Sequence, residues 1–201
     1  MRTRPLAGTV VAVTGGAAGS AIAEAVAGAG AAVVMGAVDG DAVRVAASVI
    51  AGRTGAAVVG ARLDVAQAEW FSAFLEHAES ECGPVDVLVN SAGVEWAGAF
   101  DDEPDEVAQR QFAVNVLGVV NGMKLAIPGM RRRGGGHVVN VAGAGVAATE
   151  VATRCAVRGY SAAVRAQVRG SGVRVSVVVP SERRPVAAAV LGVILRGRRA
   201  G

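Results

Sequence analysis

Short Val-rich apolar runs alternate with longer Ala-rich helical stretches along almost the whole chain, and this rhythm restricts the fold more than any other feature. Strands are predicted over Thr9–Thr14, Ala31–Met35, Ala57–Leu63, Val85–Asn90, His137–Val141 and Val173–Val179. Helices are predicted over Ser20–Ala29, Asp41–Ala51, Gln67–Glu81, Pro104–Ala126 with a further turn to Arg133, Glu150–Arg169, and finally Val186–Leu195. A strand that is apolar at nearly every position has no face left for water, so helices must cover it on both sides. Strict strand–helix alternation therefore implies an α/β fold, a doubly wound, Rossmann-type three-layer arrangement with a parallel sheet of six or seven strands. No linker or repeat interrupts the pattern, and one domain over 1–201 is expected.

Composition narrows the function classes. Hydrophobic residues make up 52% of the chain and aromatics only 3%, so the core is built from Ala, Val, Leu and Ile. The net charge of +3 is small. Its arginine clusters, Arg131 to Arg133 and Arg196, Arg198 and Arg199, follow apolar helical patterns and suit helix C-termini. They lack the neighbouring aromatics of a nucleic-acid surface, so no nucleic-acid partner is expected. Cys82, Cys155, His77 and His137 are isolated, which argues against a disulfide or a metal site. The basic start is followed by a strand broken at Gly15-Gly16, unlike a signal peptide, and no unbroken apolar run of about 18 residues suggests a membrane span. A cytoplasmic protein is expected.

The first strand leads into Thr14-Gly15-Gly16-Ala17-Ala18-Gly19-Ser20-Ala21. A Gly-rich turn between a strand and a helix lets the backbone approach a pyrophosphate, which the helix N-terminus then holds. Alone, such a loop is equally consistent with a tight βα turn. Further landmarks follow in order: Asp64 after the third strand, Asn90-Ser91-Ala92-Gly93 after the fourth, Asn115 inside the long helix, Gly136–Val141 as the fifth strand, and Gly172–Pro180 around the sixth. Together they resemble the short-chain dehydrogenase/reductase family over residues 6 to 180. The resemblance implies NAD(P) over the C-terminal strand ends, held by Gly15, Gly16, Gly19 and Ser20. It places Asp64 near the adenine, Asn90 and Gly93 beside the cofactor, and Glu95 and Trp96 on the substrate side.

Four departures from the family pattern stand against these matches. The family pattern TGxxxGxG has glycine where this chain has Ala21, whose methyl is expected to crowd the helix–strand contact or the cofactor. The second strand ends Met35-Gly36-Ala37-Val38, without the acid that selects NAD or a base that selects NADP; Asp39 is expected only to cap the next helix. NAD(P) binding is therefore expected to be weakened or lost. The catalytic serine's place is taken by Ala142-Gly143-Ala144-Gly145, with Gly143 a pocket residue. The family tyrosine lies about thirty residues before the closing proline, a spacing of one helix plus one strand. From Pro180 that points to Glu150, with Arg154 at the lysine position. Tyr160 starts Tyr-Ser-Ala-Ala-Val, which lacks the lysine and stands too close to Pro180, so it reads as a packing residue. Fourth, the segment before Glu150 is short and the given sequence ends soon after Pro180, so a more open pocket is expected.

The expected catalytic set is Glu150, Arg154 and Asn115. A glutamate with an ordinary pKa of about 4.3 is ionised at neutral pH, and a neighbouring arginine lowers that value. The pair is a poor proton donor but a usable base with a cationic partner, unless it is simply a surface i,i+4 ion pair. The leading expectation is a repurposed non-redox enzyme of cyclase, isomerase or dehydratase type, acting on a small organic molecule in bacterial biosynthesis. The alternatives are an NAD(P)-dependent oxidoreductase with an unusual proton donor and a non-catalytic relative that binds a ligand or partner. A homodimer or homotetramer through the long helix and the Glu150 helix is expected.

Overall fold

The computed structural model, which describes residues 4–143, 145–181 and 184–199, contains six parallel strands in the order β3-β2-β1-β4-β5-β6. These are β1 (Val10–Thr14), β2 (Ala32–Ala37), β3 (Val58–Arg62), β4 (Val87–Asn90), β5 (Gly136–Val141) and β6 (Val173–Val178). The sheet is thus a six-stranded, doubly wound Rossmann-type sheet. Its order reverses between β1 and β4, where sheets of this kind open a crevice at the carboxyl ends of the strands. Within the central strands every residue of β1 and β4 is buried, as the absence of polar alternation requires.

Helices α1 (Ala17–Gly28), α2 (Gly40–Thr54) and α7 (Val186–Arg199) cover one face. There Leu6, Ile22, Val26, Ile50, Val190 and Ile194 pack onto the β1, β2 and β4 side chains. The other face is covered by α3 (Ala68–Cys82), α5 (Gly118–Arg132) and α6 (Ala148–Gln167), through Phe71, Phe74, Met123, Met130 and Val157. Phe71 and Phe74 meet edge to face at 6.1 Å between ring centres. The helices begin earlier than the periodicity suggests at α1 and α6, because both start with alanines that carry no amphipathic signal.

The long helix is one rod over Asp105–Arg132, long and apolar enough by composition to cross a membrane. Here Val114, Val119, Met123, Ile127 and Met130 are buried against the sheet, which is the setting of a core helix. It divides into α4 (Asp105–Gln111), a π-helical turn over Phe112–Leu117, and α5. A π turn inserts a residue into the helical ladder and re-aims one side chain, here Asn115. Ala144, in the serine-replacing segment, and the Arg199 side chain of the last arginine cluster lie outside the described residues.

Candidate functional site

The crest of the crevice is set by register. Thr14 pairs with Gly36 on one side and Asn90 on the other, and Asn90 pairs with Asn140, so these strands end level with one another. Thr14 Oγ1 accepts hydrogen bonds from the backbone N–H of Ser91 (3.1 Å) and Ala92 (3.2 Å), tying the first turn to the loop after β4. At Gly15 φ is +113°, and a Cβ there would stand 3.0 Å from the Ala92 backbone nitrogen, so only glycine fits. Gly16 has nothing within 4 Å of its would-be Cβ and faces open space. Helix α1 starts directly after it with no side chain capping its N-terminus. Glycine freedom, open space and uncapped backbone donors together fit a pyrophosphate.

Gly19 and Ser20 lie one turn further back than expected. A Cβ at Gly19 would stand 3.2 Å from the Thr14 carbonyl oxygen, so this glycine allows the helix to pack on its strand. Ser20 Oγ donates to the Gly16 carbonyl at 3.1 Å and lines neither half of the crevice. Neither Gly19 nor Ser20 is among the residues that line the crevice. Ala21 is exposed, so the expected crowding of the helix–strand contact does not arise.

The crevice has two halves that share Ala92, Gly93 and Val94. The half toward β2, about 270 Å³, is lined by Gly15, Gly16, Ala37, Asp39, Asp64 and Arg110, among others. Asp64 Oδ1 accepts the Ala66 N–H at 3.0 Å and its Oδ2 stands 3.2 Å from Arg110, which leaves a polar wall where the adenine was expected. Asp39 caps α2 through the N–H groups of Asp41 and Ala42, as expected. Arg110 was not foreseen from the sequence, since it lies on an exposed face of α4 and only the fold brings it to Asp64.

Asn90 requires a correction. Its side chain is buried, 3% exposed, and donates to Asn140 Oδ1 at 2.8 Å. Asn140 in turn donates to Ser161 Oγ at 2.8 Å, and that hydroxyl donates to the Val157 carbonyl. Asn90 therefore serves to fix α6 on the sheet through a buried polar chain, and it is not among the residues that line the crevice. Because β4 is buried on both sides, apolar patterning could not say which way Asn90 points.

The other half, about 530 Å³, is lined by Ala17, Ala18, Ser91, Gly93, Glu95, Asn115, Gly143, Thr153, Arg154 and Pro180, among others. Asn115 is the hub of this half. Its Oδ1 accepts the Val94 N–H (2.8 Å), and its Nδ2 donates to the Val94 carbonyl (2.8 Å) and to Thr153 Oγ1 (3.3 Å). It thereby ties the loop after β4 to α6. Thr153 is fully buried and donates to the Glu150 carbonyl at 2.8 Å. Sequence reasoning missed Thr153, although it directly precedes Arg154.

Glu150 and Arg154 do form an ion pair one turn apart on α6. Arg154 Nε donates to Glu150 Oε1 at 2.8 Å, and Arg154 Nη2 makes a second, shorter contact with the same oxygen. Glu150 Oε2 accepts the Val146 N–H at 3.1 Å. Burial by itself pushes the Glu150 carboxyl up, but the hydrogen bonds from Arg154 and from the Val146 backbone, with the guanidinium charge, outweigh it and hold the pKa below the usual value. The residue is 4% exposed and does not line the crevice, whereas Arg154 does. Glu150 as the catalytic base is therefore corrected. Both of its oxygens are engaged, and its role here is to orient Arg154 and hold the loop after β5. A Cβ on Gly143 would stand 3.0 Å from Arg154 Nη1, so the glycine makes room for the guanidinium.

Two further expectations divide. Glu95 lines the crevice. Trp96 does not; its ring lies over Gly98 and its Nε1 donates to the Ala99 carbonyl at 3.2 Å, within its own loop. Tyr160 is half-buried against the core on the α6 side and is not among the crevice residues. No group of three or more metal-ligating side chains exists among the described residues.

Comparison with known proteins agrees with this geometry. A family model described as short chain dehydrogenase matches residues 9–188. The chain is 38% identical over 183 residues to the "Probable oxidoreductase EphD" of Mycobacterium tuberculosis, covering 86% of this chain and 30% of that protein. It therefore spans about a third of the length of these mycobacterial relatives. It is 34% identical over 184 residues to the 2,5-dichloro-2,5-cyclohexadiene-1,4-diol dehydrogenase LinX of Sphingobium indicum, covering 87% of this chain and 73% of that one. Among solved structures, a metagenomic short-chain oxidoreductase in complex with NADP superposes with a TM-score of 0.85 at 27% identity, covering 96% of this chain and 92% of that one. L-Sorbose reductase from Gluconobacter frateurii, complexed with NADPH and L-sorbose, superposes with a TM-score of 0.82 at 29% identity over 89% of this chain and 71% of that one.

Proposed function

The chain belongs to the short chain dehydrogenase family, and from that premise we propose that its crevice takes an NAD(P)-class dinucleotide and a small carbonyl compound, on which it performs a non-redox conversion. Gly15, Gly16, Ala17 and Ala18 would hold the pyrophosphate, Asp64 and Arg110 would flank the adenosine end, and Gly93 and Asn115 would border the nicotinamide end. Such a cofactor supplies hydride exchange when bound. The residues of this chain supply something else.

The observation that carries the reading is the side of the ion pair turned to the crevice: Arg154 lines it, and Glu150 stays buried behind with both oxygens engaged. An arginine stays protonated at any physiological pH, so it stabilises negative charge on oxygen but does not deliver a proton to it. Reduction of a ketone needs that delivery. Removal of a proton beside a carbonyl needs an oxyanion holder and a base. Arg154 is the holder, and Glu95 is the carboxylate that lines the same half of the crevice. In the step, Glu95 takes the α-proton, the C–H electron pair moves into the enolate, and the enolate oxygen rests on Arg154. Glu95 then returns the proton to another atom of the enolate, which completes an isomerisation, or to a departing β-hydroxyl, which leaves as water while the enolate electron pair forms the C=C bond, which completes a dehydration.

The test is α-deuteration of a panel of small ketones and hydroxyketones in heavy water, followed by NMR. Exchange is expected with the wild type and should fall ~10²–10⁴-fold in Glu95→Gln and in Arg154→Ala. Exchange that survives both substitutions would remove this mechanism. A second reading, NAD(P)-dependent hydride transfer, draws on the names of the relatives and the NADP and NADPH carried by the solved neighbours. We further propose a cytoplasmic homodimer or homotetramer. Phe112, Leu117 and Val151 stand 45%, 53% and 38% exposed on the long helix and α6, an apolar surface suited to a second copy. Light scattering that gives a monomer mass would contradict the assembly.

A further inference from the structure

Three apolar residues from the loops after β4 and β5 stand exposed: Val146 at 98%, Phe100 at 78% and Val94 at 38%. Exposed apolar side chains scattered singly carry no message, but a group gathered around one polar site does. These three are gathered by hydrogen bonds, each ending on α6 between Thr149 and Thr153, beside Arg154.

Val146 donates its N–H to Glu150 Oε2 at 3.1 Å, and the other oxygen of that carboxylate holds Arg154. Val94 is clasped through both of its backbone groups by Asn115, whose Nδ2 reaches Thr153 Oγ1 at 3.3 Å. Phe100 opens a short 3₁₀ turn, Phe100–Asp102. The next residue, Glu103, accepts from Thr149 Oγ1 with one carboxylate oxygen and from Gln111 Nε2 with the other. The two loops therefore meet at the start of α6, where the Arg154 guanidinium lines the crevice. Val94 lines both halves, while Val141, Val157, Pro180 and Val186 add apolar surface to the half that holds Arg154. Val146 and Phe100 line neither half, so they belong to its rim.

Resting on the reading that Arg154 and Glu95 act on a carbonyl compound, we propose that this compound carries a linear alkyl chain. Its carbonyl sits at Arg154, and its chain runs out across Val94 toward Val146 and Phe100. Covering these side chains takes their apolar surface and that of the chain out of water together. A polyhydroxylated substrate would need hydrogen-bonding partners where a valine and a phenylalanine stand.

The experiment measures α-deuteration of butan-2-one, hexan-2-one and decan-2-one in heavy water by the whole chain, each as a second-order rate constant. Full burial of a methylene is worth about fourfold, and a rim covering one side of the chain should give about twofold, so decan-2-one should exceed butan-2-one on the order of 50-fold. In the double variant Phe100→Ser, Val146→Ser that ratio should fall to about fivefold or less. Both positions are exposed, so the fold is preserved, and a ratio cancels any general loss of activity. Binding is read apart from turnover by saturation-transfer NMR on the terminal methyl group of each ketone. If no ketone exchanges but decan-2-one binds more tightly through Phe100 and Val146, the deprotonation step is removed and the chain site stands. Equal rates and affinities across the three ketones would overturn the proposal. So would a chain-length dependence that survives the double variant, or a double variant that changes only the mass in light scattering, which would assign the rim to a second copy.

Discussion

At the scale of single residues, the Glu150–Arg154 pair is decisive because one partner is hidden and the other is offered. Removing the charge of Glu150 leaves a guanidinium that is 25% exposed on its side chain without its counter-ion. Breaking a fully buried pair costs about 3–5 kcal/mol, so Glu150→Gln should cost on the order of 2 kcal/mol here, read by chemical denaturation. Its exchange activity should fall less than that of Arg154→Ala, because Arg154 remains in the crevice. His137 gives a second residue-level expectation. Burial and the nearby Arg174 charge lower its pKa from the ordinary 6.5 to about 4. The unfolded chain then binds a proton that the folded chain refuses, so the stability contributed is full above pH 6.5 and is lost as pH falls toward about 4. The loss amounts to roughly 3 kcal/mol, and Glu150, also held low, adds acid sensitivity in the same direction at still lower pH. Denaturation midpoints should drop across this window, and His137→Gln should flatten the drop. A midpoint independent of pH between these limits would contradict the assignment.

At the scale of elements, the turn from β1 into α1 separates two neighbouring glycines by function. Gly15→Ala forces a side chain into φ +113° and against the Ala92 backbone, so it should cost about 1–3 kcal/mol and also weaken dinucleotide binding. Gly16→Ala meets no protein atom within 4 Å, so its melting temperature should stay near wild type while NADPH affinity falls. Fluorescence titration with NADPH beside thermal melts reads both effects. These elements also show what the sequence made legible. Apolar runs revealed all six strands, because burial on both faces leaves a signal that needs no partner information. The helix expected from Glu150 onward put Glu150 and Arg154 one turn apart on the same element, and both lie on α6 as an ion pair. The side-chain directions were illegible. Asn90 could face either side of a doubly buried strand, the π turn that aims Asn115 leaves no periodic trace, and Trp96 sits in a loop whose course is set by Gly98 and Ala99.

At the scale of the whole molecule, the polar crevice and its apolar rim lie at one edge of the parallel sheet. The reversal between β1 and β4 opens the crevice at the strand ends, and the Asn90–Asn140–Ser161 chain fixes α6 so that Arg154 reaches it. The loops after β4 and β5 meet at the start of α6 and carry the rim. The fold is that of the family's oxidoreductases; the chemistry turns on which atoms line the crevice. The most direct measurement follows one sample containing the protein, NADPH and the responsive ketone in heavy water, recording nicotinamide absorbance and α-deuteration together. Deuterium entering the ketone while the absorbance holds steady is the predicted result. Stoichiometric loss of NADPH with alcohol formation, at a rate matching or exceeding exchange, would contradict the central claim.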